Sequence, residues 1–361
     1  VIRRRRWSRA AAGVLAVIAS VTTFVACTSH ADPTPDVTTA DGVAATPTTT
    51  QRVEDISSRL SSAYLATIET QTGAFERAER SGPPSVGSLI TTGVFDRRTG
   101  GLAITRDTAR RLDDGTIVAP SPDPSRVDID RPSEVVTTSG SLMFRGGMAH
   151  FVRGWRRQIL GIDDPVDTWF RVDTEAITLP SRTLGGVTPS IAMAGPTAVL
   201  YAPSILARYE LAGTELVRGE SVTRYRAVVG MVELEAAART VPPAALPQSL
   251  ARAISAATSF SGRSYGPHFV TVDVWIDAAS RVRRERYEID GDKLAGALES
   301  TTSLPSGPGT DALARRAFVS SISALVTVDL FDLGSAAPVQ AVSGSIDATS
   351  VVQALDRAVG D

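Results

Sequence analysis

Val270-Thr271-Val272-Asp273-Val274-Trp275-Ile276-Asp277-Ala278 and Arg281-Val282-Arg283-Arg284-Glu285-Arg286-Tyr287-Glu288-Ile289 decide the fold. The first stretch predicts a strand over His268–Ile276, with Val270, Val272, Val274 and Ile276 on one face and Thr271, Asp273 and Trp275 on the other. The second predicts a charge-rich strand over Arg281–Ile289, closed by Asp290-Gly291. Two alternating strands in direct succession imply an antiparallel sheet with one apolar face.

The same pattern extends in both directions. Val86–Phe95, Gly101–Thr105 and pieces of Glu134–Val152 alternate, broken at Ser139-Gly140 and Gly146-Gly147. Thr168–Asp173 is a short strand. Thr214–Arg218 and Ser221–Val229 form a hairpin about Gly219-Glu220, and Leu325–Phe331 is the last strand. Helical spacing appears first at Val53, Ile56, Leu60, Tyr64 and Ile68. Further helices are expected at Pro196–Leu211, Met231–Thr240 and Leu246–Thr258, and a short terminal one at Ser350–Val359. The expected class is α+β: a large curved antiparallel sheet, a half-barrel, with helices on its concave face. Such a sheet can enclose an apolar cavity.

Cys27 is the only cysteine among 361 residues. Arg3, Arg4, Arg5, Arg6 and Arg9 precede an apolar run from Ala10 to Ala26, and a polar Thr, Asp and Pro-rich stretch follows. This arrangement resembles a bacterial lipoprotein signal, in which the cysteine is acylated and becomes the mature N-terminus. The expected organisation is a signal peptide at 1–26, a disordered tether at 27–52, one α+β domain at 53–342 and a tail at 343–361. The domain is expected outside the cytoplasm, lipid-anchored to the outer face of the cell membrane. Loss of five arginines and no acid takes the net charge from −2 to about −7. An acidic chain at a membrane surface is a poor partner for nucleic acid.

Four stretches carry a family resemblance. They are Asp167-Thr168-Trp169-Phe170-Arg171-Val172-Asp173, Gly219-Glu220 through Val229, Val272–Ala278 with Val282-Arg283-Arg284, and Val326 through Leu330-Phe331-Asp332-Leu333-Gly334. In this order, behind a lipidation signal, they resemble strand signatures of the actinobacterial LppX/LprG-like lipid-carrier lipoproteins, related in fold to the Lol-type carriers. The chain is longer than that pattern, with insertions near 108–133, 156–167 and 291–316. The resemblance implies a half-barrel whose apolar pocket shields acyl chains of a lipid or glycolipid, with a membrane transporter as a further partner. The pocket would be lined from the early strands by Ile90, Val94, Ile104 and Phe144. Trp169, Leu206 and Tyr225 would follow, then Val270, Val272, Val274 and Ile276, and finally Val328. Trp169, Tyr225 and Trp275 suit either a core or a pocket wall.

The expected function is noncovalent binding of an amphiphile without a catalytic group or cofactor. The alternative is an envelope sensor or interaction lipoprotein whose pocket is collapsed. Catalytic signals are poor. Gly262-Arg263-Ser264-Tyr265-Gly266 matches a nucleophile elbow, but a helix precedes it and Pro267 and a strand follow, the reverse of the required context. His30, His150 and His268 are the only histidines, and no metal-ligand spacing is present. Asp113-Asp114 and Asp163-Asp164 read as solvated turns. Arg281, Arg283, Arg284 and Arg286 can attract anionic head groups, but the interleaved Glu285 and Glu288 make cross-strand ion pairs the simpler account.

Overall fold

The computed structural model describes residues 49–82, 84–119, 132–177, 194–241, 250–251, 270–291, 293 and 323–360. Cys27, the signal and most of the tether lie outside these, as do Ser264, His268 and most of the segments 242–269 and 291–316.

The described chain opens with helix α1 (Thr49–Ile68). Strands β1 (Thr72–Ser81), β2 (Ser88–Asp96), β3 (Gly101–Arg111) and β4 (Ile117–Val118) follow. Then come β5 (Ser133–Thr138), β6 (Ser141–Gly146), α2 (His150–Trp155) and β7 (Phe170–Asp173). The middle holds α3 (Pro203–Leu206), β8 (Glu210–Val217), β9 (Glu220–Val229) and α4 (Met231–Ala238). The last elements are β10 (Val270–Ile276), β11 (Val282–Ile289), β12 (Ala324–Phe331), β13 (Ile346–Asp347) and α5 (Thr349–Gly360).

All thirteen strands join one open sheet in the order β13-β7-β6-β5-β3-β2-β1-β12-β11-β10-β9-β8, with β4 appended to β3. Every pairing is antiparallel except β13 with β7. The expected α+β class with helices on one face is what forms.

Two expectations are corrected, and one strand is not expected at all. The helix predicted over Pro196–Leu211 is a 3-10 turn at Ala198–Tyr201, the single turn of α3, and then a strand. Pro203 is the cause: it forces Ala202 into an extended conformation (φ −65°, ψ 144°), so the turn before it cannot run on as α-helix. The strand pieces predicted to reach Val152 stop at Gly146, whose φ of 74° and contact with the Pro132 carbonyl admit only glycine; Val152 is helical and buried. Strand β1, at the centre of the sheet, has no counterpart in the sequence reading. Its residues Glu76, Arg77, Glu79 and Arg80 hide the alternation, and Phe75 is its one large apolar side chain.

The concave face carries two apolar cores. In the first, Ile56, Leu60 and Ala63 of α1, Ile205 and Leu206 of α3, and Leu234 and Ala237 of α4 cover β1, β2 and β9 to β12. In the second, Val152 of α2 and Val351 and Val352 of α5 cover Val135, Leu142, Phe144, Phe170 and Val172. Each fully buried Val, Leu, Ile or Phe contributes about 1.5–3 kcal/mol, so both cores are substantial. Residues 346–360, set apart by sequence as part of a tail, supply a strand and a helix to the second core. The convex face is held differently. Asp273 accepts from both Arg224 and Arg226 at 2.9 and 2.8 Å, and Asp329 accepts from Arg284 and Arg218.

Candidate functional site

Strand register resolves the concave face into rows of side chains. One row runs Leu330, Phe75, Gly93, Ile104, Val135, Phe144, Phe170, across β12, β1, β2, β3, β5, β6 and β7. It is apolar from end to end. Gly93 makes room for the Phe75 ring: a Cβ there would lie 2.6 Å from both that ring and the Ala103 carbonyl.

The neighbouring row runs Tyr225, Val274, Glu285, Val328, Arg77, Thr91, Arg106, Ser133, across β9, β10, β11, β12, β1, β2, β3 and β5. It turns polar at its second half. Glu285 is fully buried. It accepts from the Tyr201 hydroxyl at 2.7 Å and the Thr197 amide at 2.8 Å. Burial pushes its pKa up against the opposing pull of these two hydrogen bonds. Tyr201 stacks on Tyr64 of α1 with ring centroids 4.6 Å apart, so the carboxyl is roofed by aromatic rings.

The two cores touch at Ile104. This half-buried side chain packs against both, and among the described residues it is the one apolar side chain that does. Each helical group therefore covers its own half of the sheet, and the two halves meet at Ile104.

The residues expected to line a cavity are dispersed. Leu206, Tyr225, Val270, Val272, Val274, Ile276 and Val328 lie in the first core, and Phe144 lies in the second. Ile90 and Val94 face the other way, paired with Ala78 and Ala74; Phe95, buried in the first core, sets the parity of β2. Trp169 precedes β7 with the Arg145 guanidinium 4.9 Å above its ring. Trp275 is convex, packed with Val217 and Val222, its indole donating to Glu215. A cavity of about 440 Å³ is lined by Ala176, Ile177, Gln353, Asp356 and Arg357. A second of about 280 Å³ lies on the convex face among Ile90, Leu325, Thr327 and Asp329.

Three of the four acids in the two acidic pairs are ion-paired: Asp113 with Arg80 at 2.8 Å, Asp163 with Arg157 at 2.8 Å and Asp164 with Arg156 at 2.5 Å, while Asp114 accepts from the Thr116 amide. Of the arginines around β11, Arg284 makes the expected cross-strand pair with Asp329 at 2.5 Å. Glu285 does not. Its inward parity, shared with Tyr287 and Ile289, is the sequence signal that marks it, because a carboxylate in line with core residues must be buried or displace them.

No protein-family model matches the chain, and no curated protein matches it. Solved structures similar to it include lipoprotein LppX from Mycobacterium tuberculosis, at 10% identity and a TM-score of 0.34, covering 80% of this chain and 99% of that one. LprF from Mycobacterium bovis is similar at 9% identity and a TM-score of 0.35, covering 80% and 97%. A LolA superfamily protein from Nitrosomonas europaea is similar at 9% identity and a TM-score of 0.20, covering 77% and 91%.

Proposed function

We propose that this chain is an exported lipoprotein, anchored through acylated Cys27, that holds the acyl part of a lipid or glycolipid noncovalently along the seam above Ile104. The observation that carries the reading is the division of the concave face into two cores meeting at that residue. Two covers joined through one side chain can part there with neither core broken. The row from Leu330 to Phe170 then supplies a continuous apolar floor. Burial of each methylene contributes about 0.8 kcal/mol, so a long chain binds by desolvation alone and no catalytic step is assigned. Residues 1–26 serve as the signal, 27–48 as the tether and 49–360 as the carrier domain, whose second core includes the terminal strand and helix. A membrane transporter is the class of partner that would load or unload it.

A second reading, a sensor or interaction lipoprotein without cargo, has its own support. Val270, Val272 and Val274 are fully buried against protein, and neither cavity is lined by them: that of about 440 Å³ is lined by Ala176, Ile177, Gln353, Asp356 and Arg357, and that of about 280 Å³ lies on the convex face.

A lipid bearing a diazirine in its acyl chain separates the two. Photolysis with the full-length protein should attach label to peptides containing Ile104, Phe75 and Phe144. Label scattered over the surface, or none, would favour the cargo-free reading.

A further inference from the structure

Where the second concave row turns polar, positive charge accumulates. Arg77, Thr91 and Arg106 are paired neighbours on β1, β2 and β3, and Glu79, Leu89 and Arg110 form the next row. A bulge in the β2–β3 pairing between Leu89 and Thr91 brings Arg106 and Arg110 to adjacent rows on one face, although four positions separate them in sequence. Arg77 pairs with Val328 and Glu79 with Val326, which places this cluster on the same face as the first core.

Three guanidinium groups thus share these two rows of β1, β2 and β3 with the Glu79 carboxylate. Glu79 lies 3.1 Å from Arg77. Arg77 is only 7% exposed, and its Nε is buried without a hydrogen-bond partner. Arg110 reaches the Gly87 carbonyl at 3.4 Å. Asp107, the nearest acid in sequence to Arg106, is engaged with the Thr108 and Ala109 amides of the bulge. Arg106 keeps contact with solvent, yet desolvation pulls its pKa down. Glu79 opposes that pull, and Arg77 and Arg110 add to it. On the convex side of the same strands the arginines are matched: Arg111 with Glu76, Arg80 with Asp113. The imbalance belongs to the concave face.

We propose that Arg77, Arg106 and Arg110 form a binding site for a phosphate-class anion, the head-group site for the amphiphile held at Ile104. The inference rests on the function proposed above. Strands lie about 4.8 Å apart, so the backbones of Arg77 and Arg106 are about 10 Å apart, a span that two arginine side chains can bridge to one tetrahedral anion. Arginine forks suit such an anion, giving paired charge-assisted hydrogen bonds. Arg106 is two residues from Ile104 on β3, about 7 Å along the strand. A head at the arginines therefore leaves the acyl chain beginning at the seam.

Three ligands decide the matter, titrated against the full-length protein: phosphatidate, diacylglycerol with the same chains, and inorganic phosphate. The proposal expects phosphatidate to bind about ten- to hundred-fold tighter than diacylglycerol, the range of one or two charged hydrogen bonds. Arg106→Gln and Arg110→Gln should erase that preference while diacylglycerol binding stays constant. Arg111→Gln, on the opposite face, should change neither. Equal binding of both lipids, or a preference that survives the two substitutions, overturns the head-group site and leaves the carrier reading standing. Binding of inorganic phosphate alone, lost in Arg106→Gln, would make this an anion site and remove the carrier reading. Binding of none of the three would remove both.

Discussion

The Tyr201 hydroxyl donates to Glu285 at 2.7 Å in the midst of the apolar face, with Glu285 wholly removed from solvent. The pair joins the loop before α3 to β11 beneath the Tyr64 ring. Burial shifts this carboxyl toward its neutral form, because desolvation outweighs the two hydrogen bonds it accepts.

That preference has a pH signature. The folded pKa of Glu285 lies above its ordinary value of 4.5. The folded state then binds more protons than the unfolded state between the two values. Stability should be greatest below about 4.5 for this group and fall as pH rises through the raised folded value. Glu285→Gln presents a neutral amide of the same shape and should flatten that part of the profile. Thermal melts of both proteins from pH 4 to pH 8 check this; a parallel slope in the variant would assign the pH dependence to other groups.

Gly93 is a close-approach position. Substitution by alanine puts a methyl against the Phe75 ring and the Ala103 carbonyl. The expected cost is about 1–3 kcal/mol, as for overpacking. Gly140, whose added Cβ would meet nothing within 4 Å but whose φ is 78°, tests strain without crowding at a turn. Urea midpoints with unchanged slopes give both values.

Val274 and Ile104 distinguish core from seam. Val274 is fully buried, so Val274→Trp should cost about 1–3 kcal/mol and leave lipid loading in the folded fraction unchanged. Ile104 is half-buried between two cores, so Ile104→Trp should fill the seam, lower lipid loading and cost less stability. Melting temperature and extractable lipid, measured on both variants, are the readouts. The opposite pattern would place the ligand over β10.

Cys27→Ala should abolish fatty-acid labelling and release the protein from membranes or leave an uncleaved precursor. The motive is the single cysteine behind the apolar run. Equal labelling of the variant would reject the anchor.

Much of the sheet is legible because its inward positions are simple. Val270, Val272, Val274 and Ile276 repeat with period two, and β10 forms where that repeat lies. Strand β1 is not legible, because Arg77 and Glu79 occupy inward positions that pattern reading assigns to solvent. Arg77 belongs to the proposed anion site and Glu79 is paired with it at 3.1 Å, so the local break in the fold's pattern falls at the position with the most unusual chemistry. The face of β2 is hard to read for a related reason. Ile90 and Val94 are larger than Thr91 and Gly93, but Gly93 is inward because Phe75 fills its place. Complementarity across strands decides such positions, and a single strand does not contain it. Pro203 was in plain sight and stops the helix read through it.

The central claim is that the seam holds an acyl chain. Native mass spectrometry of the full-length protein, purified from membranes in mild detergent and compared before and after solvent extraction, tests it most directly. The account predicts a mass increment of one lipid, lost on extraction, restored by added phosphatidate and diminished in Ile104→Trp. A protein of unmodified mass apart from its anchor, which takes up no lipid when one is supplied, would contradict it.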